Sequence, residues 1–209
     1  MRDTNFLSKL RKILLDKERK TIKVQDLLDI LGKDSIKVLM MMVTFITSLP
    51  VPPWGGGFET MPGGILCMYF SLQGLLGIDK VYIPDFIGQY EIHLKRIHES
   101  KYTEKTFRFI ESWMQQNRIP SVFNPFTETL LYVLIIANAF LMVIPVVFTN
   151  GFPSQSITLL TLAWVLHDGL VFSIVFLLSI LSLLMYTYLF FWASKFLYKT
   201  RKKWSFGML

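Results

Sequence analysis

The sequence is poor in cysteine, histidine and charge, and each shortage excludes a class of protein. A single cysteine, Cys67, cannot form an internal disulfide, which excludes a disulfide-stapled scaffold. One cysteine and three histidines are too few for a structural zinc cluster, so we expect no metal. Charged residues make up only 18% of the 209 residues, whereas hydrophobic residues make up 52%. That balance is typical of a membrane protein.

Charged residues are concentrated in three blocks of the chain. Residues 1–37 carry ten Lys or Arg and six acids, residues 79–128 carry seven of each, and residues 195–209 carry five Lys or Arg and no acid. Cytoplasmic loops of membrane proteins are enriched in Lys and Arg. We therefore expect amphipathic N-terminal helices, an amphipathic helical connector and a basic tail in the cytoplasm, with both termini on that side.

Two nearly uncharged blocks lie between the polar ones. Residues 38–78 contain Glu59 as their one charged residue, and residues 129–194 contain only Asp168. About 20 apolar residues cross a bilayer as a helix, because lipid offers no partner to a free backbone amide. Prolines and glycines break the first block into arms of about 16 and 17 residues. They break the second into three arms: residues 129–149, 153–167 and 170–194.

These breaks predict an all-α, polytopic membrane protein built from two Pro/Gly-broken helical hairpins with re-entrant arms. Both blocks follow one plan, in which an apolar arm ends near a proline, a glycine-bearing turn follows, and a second proline opens the next arm. Paired broken segments in two halves of a chain are typical of inverted-repeat transporters. An inverted repeat is therefore a hypothesis for this chain.

Asp168 is the leading candidate for a binding residue. A charged group at the centre of a membrane helix costs about 2.5–3.5 kcal/mol, so it indicates a function or a partner. With helical spacing, Asp168 ends a polar stripe suited to a path for a proton or cation; the stripe contains Ser154, Thr158 and Thr161, and His167 flanks the carboxylate. Two alternatives stay open: the hydroxyls join packed helices, and Asp168 lies in a turn at the water interface.

The first apolar block offers a second carboxylate and a face of small residues. Glu59 precedes Pro62, where it would cap a helix or act as a gate or second ion site. Close packing against another helix is predicted for Gly63, Gly64, Cys67, Ser71 and Gly74. Because no neighbouring group activates the thiol of Cys67, we expect it to be inert.

The polar blocks carry helical patterns as well. One face of the N-terminal segment is suited to a membrane surface, a partner helix or the protein's own membrane domain: Phe6, Leu7, Leu10, Ile13 and Leu14. Helical spacing in the connector links Phe86, Tyr90, His93 or Leu94, and Ile97. This block has no net charge and no nucleic-acid-binding motif, so nucleic acid is not an expected partner. Gly55-Gly56-Gly57 lacks the residues of a phosphate-binding loop, and no cofactor is expected.

A series of short motifs between residues 21 and 190 resembles one known family. They are VQDLLDILG from Val24, LPVPP from Leu49, MPG from Met61, LQG from Leu72, YIP from Tyr82, and HDGL from His167. In order and spacing they are similar to the bacterial exopolysaccharide synthesis ExoD family. The resemblance implies a protein of the bacterial inner membrane linked to exopolysaccharide production, with no established catalytic residues.

We predict a small transporter or channel-like protein, not an enzyme, in which Asp168 binds a proton, a cation or a cationic group. No polar block is large enough for the nucleotide-sugar domain of a glycosyltransferase. One alternative is a non-transporting scaffold of an envelope-polysaccharide complex. Another is a membrane enzyme acting on lipid-linked sugars, which needs Glu59, His167 and Asp168 in one pocket. The expected partners are the lipid bilayer, a second copy forming a homodimer, and envelope-polysaccharide proteins.

Overall fold

The computed structural model describes residues 20–48, 60–78, 81–83, 85–94, 118–144 and 151–206, with residues 105, 108 and 112. Its elements are β1 (Thr21–Lys23), α1 (Val24–Leu31), α2 (Ser35–Ser48), α3 (Thr60–Leu75), α4 (Asp85–Gly88), β2 (Glu91–His93), α5 (Pro125–Val143), α6 (Gly151–Val165) and α7 (Gly169–Phe206). Both apolar blocks are helical, which confirms the helical prediction for them. Glu59, the triple glycine and the N-terminal amphipathic segment lie outside the described residues.

The helix ends follow local sequence signals. Asn124 precedes α5, and its side chain accepts a hydrogen bond from the Thr127 amide at 2.9 Å, while Pro125 occupies the first helical position. At the end of α6, His167 takes a left-handed conformation with φ 55°, and the Asp168 amide donates to the Ala163 carbonyl. That pattern terminates helices, so the break predicted at Asp168 is where α6 gives way to α7.

The helices form one bundle in which members of different hairpins pack together. The most extensive contacts join α3 to α5 and α2 to α6. The start of α3 lies at the end of α5, because the Thr60 hydroxyl is 3.4 Å from the Met142 carbonyl. The end of α3 lies near the start of α5, because Gly74 packs against Tyr132. Helices α3 and α5 are therefore antiparallel, and the helices of each hairpin pack mainly against helices of the other hairpin.

The starts of α2, α5 and α7 lie at one end of the bundle. Lys37 in the first turn of α2 contacts Glu128 in the first turn of α5, and Phe172 in the first turn of α7 packs on Phe123 just before α5. Both hairpins thus begin at the same end, as parallel halves do. The helix directions do not show the inverted relation predicted from the sequence, because the Pro/Gly pattern specifies hairpins but not their relative direction.

This end, which we call the polar end, also carries the small elements of the polar blocks. Strands β1 and β2 pair antiparallel, with Thr21 opposite His93 and Lys23 opposite Glu91. The helical spacing predicted through Tyr90 and His93 is therefore wrong for these residues. Helix α4 ends at Gly88, and the backbone of residues 91–93 pairs with β1 instead of continuing the helix.

Two described helices are long and apolar enough to cross a membrane, by length and composition: Pro125–Val143 and Gly169–Phe196. The shorter arms α2, α3 and α6 have 14, 16 and 15 residues. Because α5, α6 and α7 make three passes along the bundle, residue 206 lies at the end opposite residue 35. The first 19 residues lie outside the described part of the chain, so the placement of both termini in the cytoplasm stays a prediction. Re-entrant arms stay a prediction.

Candidate functional site

The small-residue face of α3 lies between α2 and α5. A Cβ atom on Gly63 would come 2.6 Å from Thr47 Cγ2 of α2, and one on Gly64 would come 2.7 Å from the Ala139 carbonyl oxygen of α5. Cys67 is fully buried, and the Ser71 hydroxyl donates to the Met40 sulfur at 3.2 Å. The face therefore brings helix backbones close together on two sides.

Gly74 continues this face at the polar end. A Cβ atom there would lie 2.3 Å from Cζ of Tyr132, inside the space that the ring occupies. The tyrosine ring thus rests directly on the backbone of α3. This contact fixes the first two turns of α5 against the last turn of α3.

Asp168 lies at the polar end, fully buried, in the turn between α6 and α7. Its Oδ2 is 2.7 Å from the guanidinium of Arg118, which is 32% exposed. Its Oδ1 accepts a hydrogen bond from the Val171 amide at 3.2 Å, so the carboxylate caps α7. The residue that the sequence identifies as a membrane carboxylate is thus held by a cation and a helix start.

The segment before α5 closes tightly over this turn. The Gly169 amide donates to the Arg118 carbonyl at 2.8 Å, and a Cβ atom on Gly169 would lie 2.4 Å from the Ile119 carbonyl oxygen. The His167 ring packs 5.0 Å from Phe123, centroid to centroid, and its Nδ1 lies 3.3 Å from the Val165 carbonyl. His167 and Asp168 are neighbours, but Glu59 lies outside the described residues, so the three-residue pocket of the enzyme alternative stays a prediction.

The hydroxyl groups of the predicted polar stripe make local hydrogen bonds. Ser154 donates to the Gly151 carbonyl at 2.9 Å, and Thr161 donates to the Ile157 carbonyl at 2.7 Å. Thr158 Oγ1 lies 2.8 Å from Thr44 Oγ1, which links α6 to α2. The Thr158–Thr44 contact fits the alternative in which the hydroxyls join packed helices, whereas Ser154 and Thr161 bond to backbone carbonyls of α6 itself. Ligand binding by Ser154, Thr158 and Thr161 stays a prediction.

A second ion pair, between a buried lysine and a partly exposed glutamate that the sequence patterns do not single out, connects the two hairpins. Lys37 Nζ lies 2.6 Å from Glu128 Oε1, and the two side chains are 3% and 38% exposed. The ammonium group also lies 5.4 Å from the centroid of the Tyr132 ring and 5.6 Å from that of Trp164. Two aromatic faces and one carboxylate thus replace the water around the lysine.

The exposed side of Glu128 faces a cavity of about 260 Å³. The last turn of α3, the start of α2 and the start of α5 form its wall: Ile36, Gly74, Gly77, Ile78, Pro125, Glu128, Thr129 and Tyr132. We call Lys37, Glu128 and this cavity the Lys37–Glu128 site. It combines a partly exposed carboxylate, a buried ammonium group and a small open cavity.

One signal in the sequence does mark this pair. Lys37 is the last charged residue before the first apolar block, and Glu128 is the last before the second. Treating both as the edges of polar blocks hides the fact that they lie inside α2 and α5. The two residues have opposite charge and hold the same position relative to the two apolar blocks, which is the sequence signal for this contact.

The chain matches the family model described as Exopolysaccharide synthesis, ExoD, over residues 6–188. The chain belongs to the ExoD family. The resemblance stated from its short motifs is confirmed. Membership links this ExoD protein to exopolysaccharide synthesis, and together with the two long apolar helices it indicates a membrane protein.

Neither the comparison with curated proteins nor that with solved structures finds a match for this chain. Among the residues that the structure describes, no three His, Cys, Asp or Glu side chains gather as metal ligands would. The Lys37–Glu128 site and the Asp168–Arg118 pair are therefore interpreted from their own geometry.

Proposed function

We propose that this ExoD protein is a small polytopic membrane transporter that serves exopolysaccharide production and binds a proton, a cation or a cationic group at a carboxylate. The single observation that supports it best is the 2.6 Å contact of a buried Lys37 with Glu128 beside a cavity. Ionisable residues of membrane segments that face the bundle interior or a water-filled cavity often belong to ion and substrate pathways, and Glu128 lies in the first turn of α5 at the wall of such a cavity. We propose a binding function without an enzymatic step.

Glu128 has the properties that exchange of a cation requires. One oxygen contacts Lys37, and the carboxylate is 38% exposed at the cavity wall. A proton or cation that binds there competes with the ammonium group for the same negative charge. Since a buried ammonium without a counter-ion is unfavourable by several kcal/mol, binding at Glu128 favours a rearrangement of Lys37.

This rearrangement would act on the relative position of the two hairpins. Lys37 belongs to α2 and Glu128 to α5, so the ion pair joins one hairpin to the other. Transporters built from two related halves move by rocking one half against the other around a fixed site. We propose that the halves of this chain are parallel repeats, α2–α3 and α5–α6. Ligand binding at Glu128 would weaken its ion pair with Lys37 and thereby change the contact between the two halves.

Asp168, the carboxylate first predicted to bind the ligand, fits a different role better. Arg118 and the Val171 amide already engage both of its oxygens, and its side chain is 0% exposed. We therefore propose that Asp168 is structural and fixes the segment around Arg118 to the start of α7. We assign ligand binding to Glu128.

Proton and sodium flux in reconstituted vesicles test this assignment. We expect Glu128→Gln to lower the flux of the transported ion at least tenfold, because the amide cannot exchange a proton or neutralise a cation. The exposed Glu91 supplies the matched control, and Glu91→Gln should leave flux unchanged. Asp168→Asn should retain flux in protein that remains folded. Proton uptake is followed with a pH-sensitive dye inside the vesicles, and sodium uptake with the radioactive ion.

Because Glu128→Gln leaves a buried Lys37 without its carboxylate, folding must be measured separately. The double variant Lys37→Met with Glu128→Gln removes both charges, and its elution and thermal unfolding in detergent report whether the bundle persists. Wild-type vesicles that carry neither protons nor sodium would contradict the transport proposal and favour the scaffold. Flux that survives in Glu128→Gln and is lost in folded Asp168→Asn would return the binding role to Asp168.

A further inference from the structure

One outward face of α7 changes character along its length. Its members are spaced by three or four residues and are Leu177, Leu181, Leu184, Tyr188, Trp192, Lys195 and Lys199. The first five are between 61% and 68% exposed, and both lysines are also exposed. The face therefore passes from leucine through tyrosine and tryptophan to lysine, which is the order of side chains from the hydrocarbon core to the headgroups of a bilayer.

The distances along α7 agree with this assignment. Tyr188 lies 19 residues after Gly169, which starts the helix at the polar end. At 1.5 Å per residue this separation is about 28 Å, close to the roughly 30 Å of a bilayer's hydrocarbon core. The Cα atoms of Lys195 and Lys199 then lie about 10–17 Å beyond Tyr188, outside the hydrocarbon core.

The end of α7 carries cations and exposed rings but no acid. After Asp168 the sequence contains five Lys or Arg residues and no Asp or Glu: Lys195, Lys199, Arg201, Lys202 and Lys203. Lys195 Nζ lies 4.3 Å from the centroid of the Phe191 ring, and the rings of Trp192 and Phe196 stack with centroids 5.9 Å apart. The Lys195 side chain thus lies back along the helix, with its ammonium group over the ring of Phe191.

We propose that Lys195 and Lys199, near the end of α7, bind the phosphate groups of anionic phospholipids in the leaflet opposite the polar end. Clusters of four to eight cations next to a membrane helix attract anionic headgroups. Lys195 and Lys199 continue the face of exposed leucines, so a lipid bilayer can contact both the apolar and the basic part of this face. A second copy lying parallel is less suitable, because it would bring its own Lys195 and Lys199 close to these two positive charges.

Lipid retention by the full-length protein tests this proposal. The protein is purified from vesicles containing phosphatidylcholine and phosphatidylglycerol, and bound lipid is counted by native mass spectrometry. The triple change Lys195→Gln, Lys199→Gln and Lys202→Gln should reduce retained phosphatidylglycerol at least fivefold and leave phosphatidylcholine unchanged. The matched control changes the exposed residues Lys20, Lys23 and Lys105 of the polar blocks to Gln, and it should retain phosphatidylglycerol as the wild type does. Replacing the three α7 lysines by Arg should preserve retention.

Equal retention by the wild type and the α7 variant would overturn the proposal, as would an equal loss in the control variant. Competition by free glycerol phosphate at the concentration of the lipid would show a site for soluble phosphate instead of lipid. A dimer that dissociates only in the α7 variant, measured by light scattering in detergent, would identify the face as a contact between copies.

Discussion

At the residue scale, Gly64 shows how little room the bundle leaves between backbones. A Cβ atom there would lie 2.7 Å from the Ala139 carbonyl oxygen and 3.0 Å from Met142 Cβ, so the neighbouring atoms are backbone or stiff side chain. Gly151 begins α6, and a Cβ atom there would have no described atom within 4 Å. The pair gives a matched test of close helix packing.

We expect Gly64→Ala to destabilise the protein by about 1–3 kcal/mol, the usual cost of overpacking, because α3 and α5 must separate to admit the methyl group. Gly151→Ala should be neutral or slightly stabilising, since alanine favours a helix. Thermal unfolding in detergent, followed by circular dichroism, measures both. Equal stability of the two variants would show that α3 and α5 are not held at this distance in solution.

Residue predictions from the sequence succeed where a residue differs from its neighbours. Asp168 is the one charge in a long apolar block, and the structure places it in the turn where its glycine neighbour indicates a break. Its partner Arg118 is one of seven cations in a polar block, and 50 residues separate the two. Spacing along the chain carries no information about such a contact, because tertiary packing alone brings the two groups together.

At the element scale, the Asp168 carboxylate stabilises the turn between α6 and α7 in two ways: it pairs with Arg118 and it caps α7. Asp168→Asn keeps an acceptor for the Val171 amide and removes the ion pair, whereas Asp168→Ala removes both. Fully buried pairs lose about 3–5 kcal/mol when one partner is removed, and the partial exposure of Arg118 reduces this to about 2 kcal/mol. Loss of the cap in the alanine variant adds about 1 kcal/mol.

Chemical denaturation in detergent micelles measures these losses of stability. Asp26 is exposed in α1, so Asp26→Asn is a control that changes charge equally without a buried partner. Identical unfolding curves for wild type and Asp168→Asn would show that the Arg118 pair contributes nothing to stability.

The helical elements are predictable because prolines and glycines mark their ends. The three arms predicted in the second block correspond to α5, α6 and α7. Helix α7 nevertheless continues to Phe206, beyond the predicted arm, since the basic tail contains no helix breaker before Gly207. The β1–β2 pair is not predictable in the same way, because each strand has three residues and depends on a partner about 70 residues away.

At the scale of the whole molecule, the direction of each helix decides which segments share a side. Tyr90 lies at the polar end and Tyr198 near the end of α7, and the two side chains are 67% and 73% exposed. We expect Tyr90→Cys and Tyr198→Cys to react with a membrane-impermeant maleimide from opposite sides of oriented vesicles.

Two controls belong to this labelling experiment. The native Cys67 is buried and should react little, and Ile30→Cys, 40% exposed in α1, should be labelled from the same side as Tyr90→Cys. Labelling of positions 90 and 198 from one side would contradict the three passes of α5, α6 and α7, and would favour the predicted placement of both termini on the same side.

The arrangement of the hairpins is the part that sequence patterns do not determine. Composition and breaks define two hairpins, but parallel and inverted pairs bury the same apolar faces. Contacts such as Lys37 with Glu128 and Gly74 with Tyr132 decide between them. These contacts depend on shape and charge at single positions in separate halves of the chain.

The ion pair between the hairpins also has a consequence for biosynthesis. Lys37 precedes Glu128 by 91 residues, so it leaves the ribosome first. At a synthesis rate of about 5–20 residues per second, Glu128 is made roughly 5–20 s after Lys37. During that interval the first hairpin has no counter-ion for Lys37 and cannot adopt its final packing. Synthesis of the start of α5, rather than insertion of the first hairpin alone, is therefore the step that allows this ion pair to form.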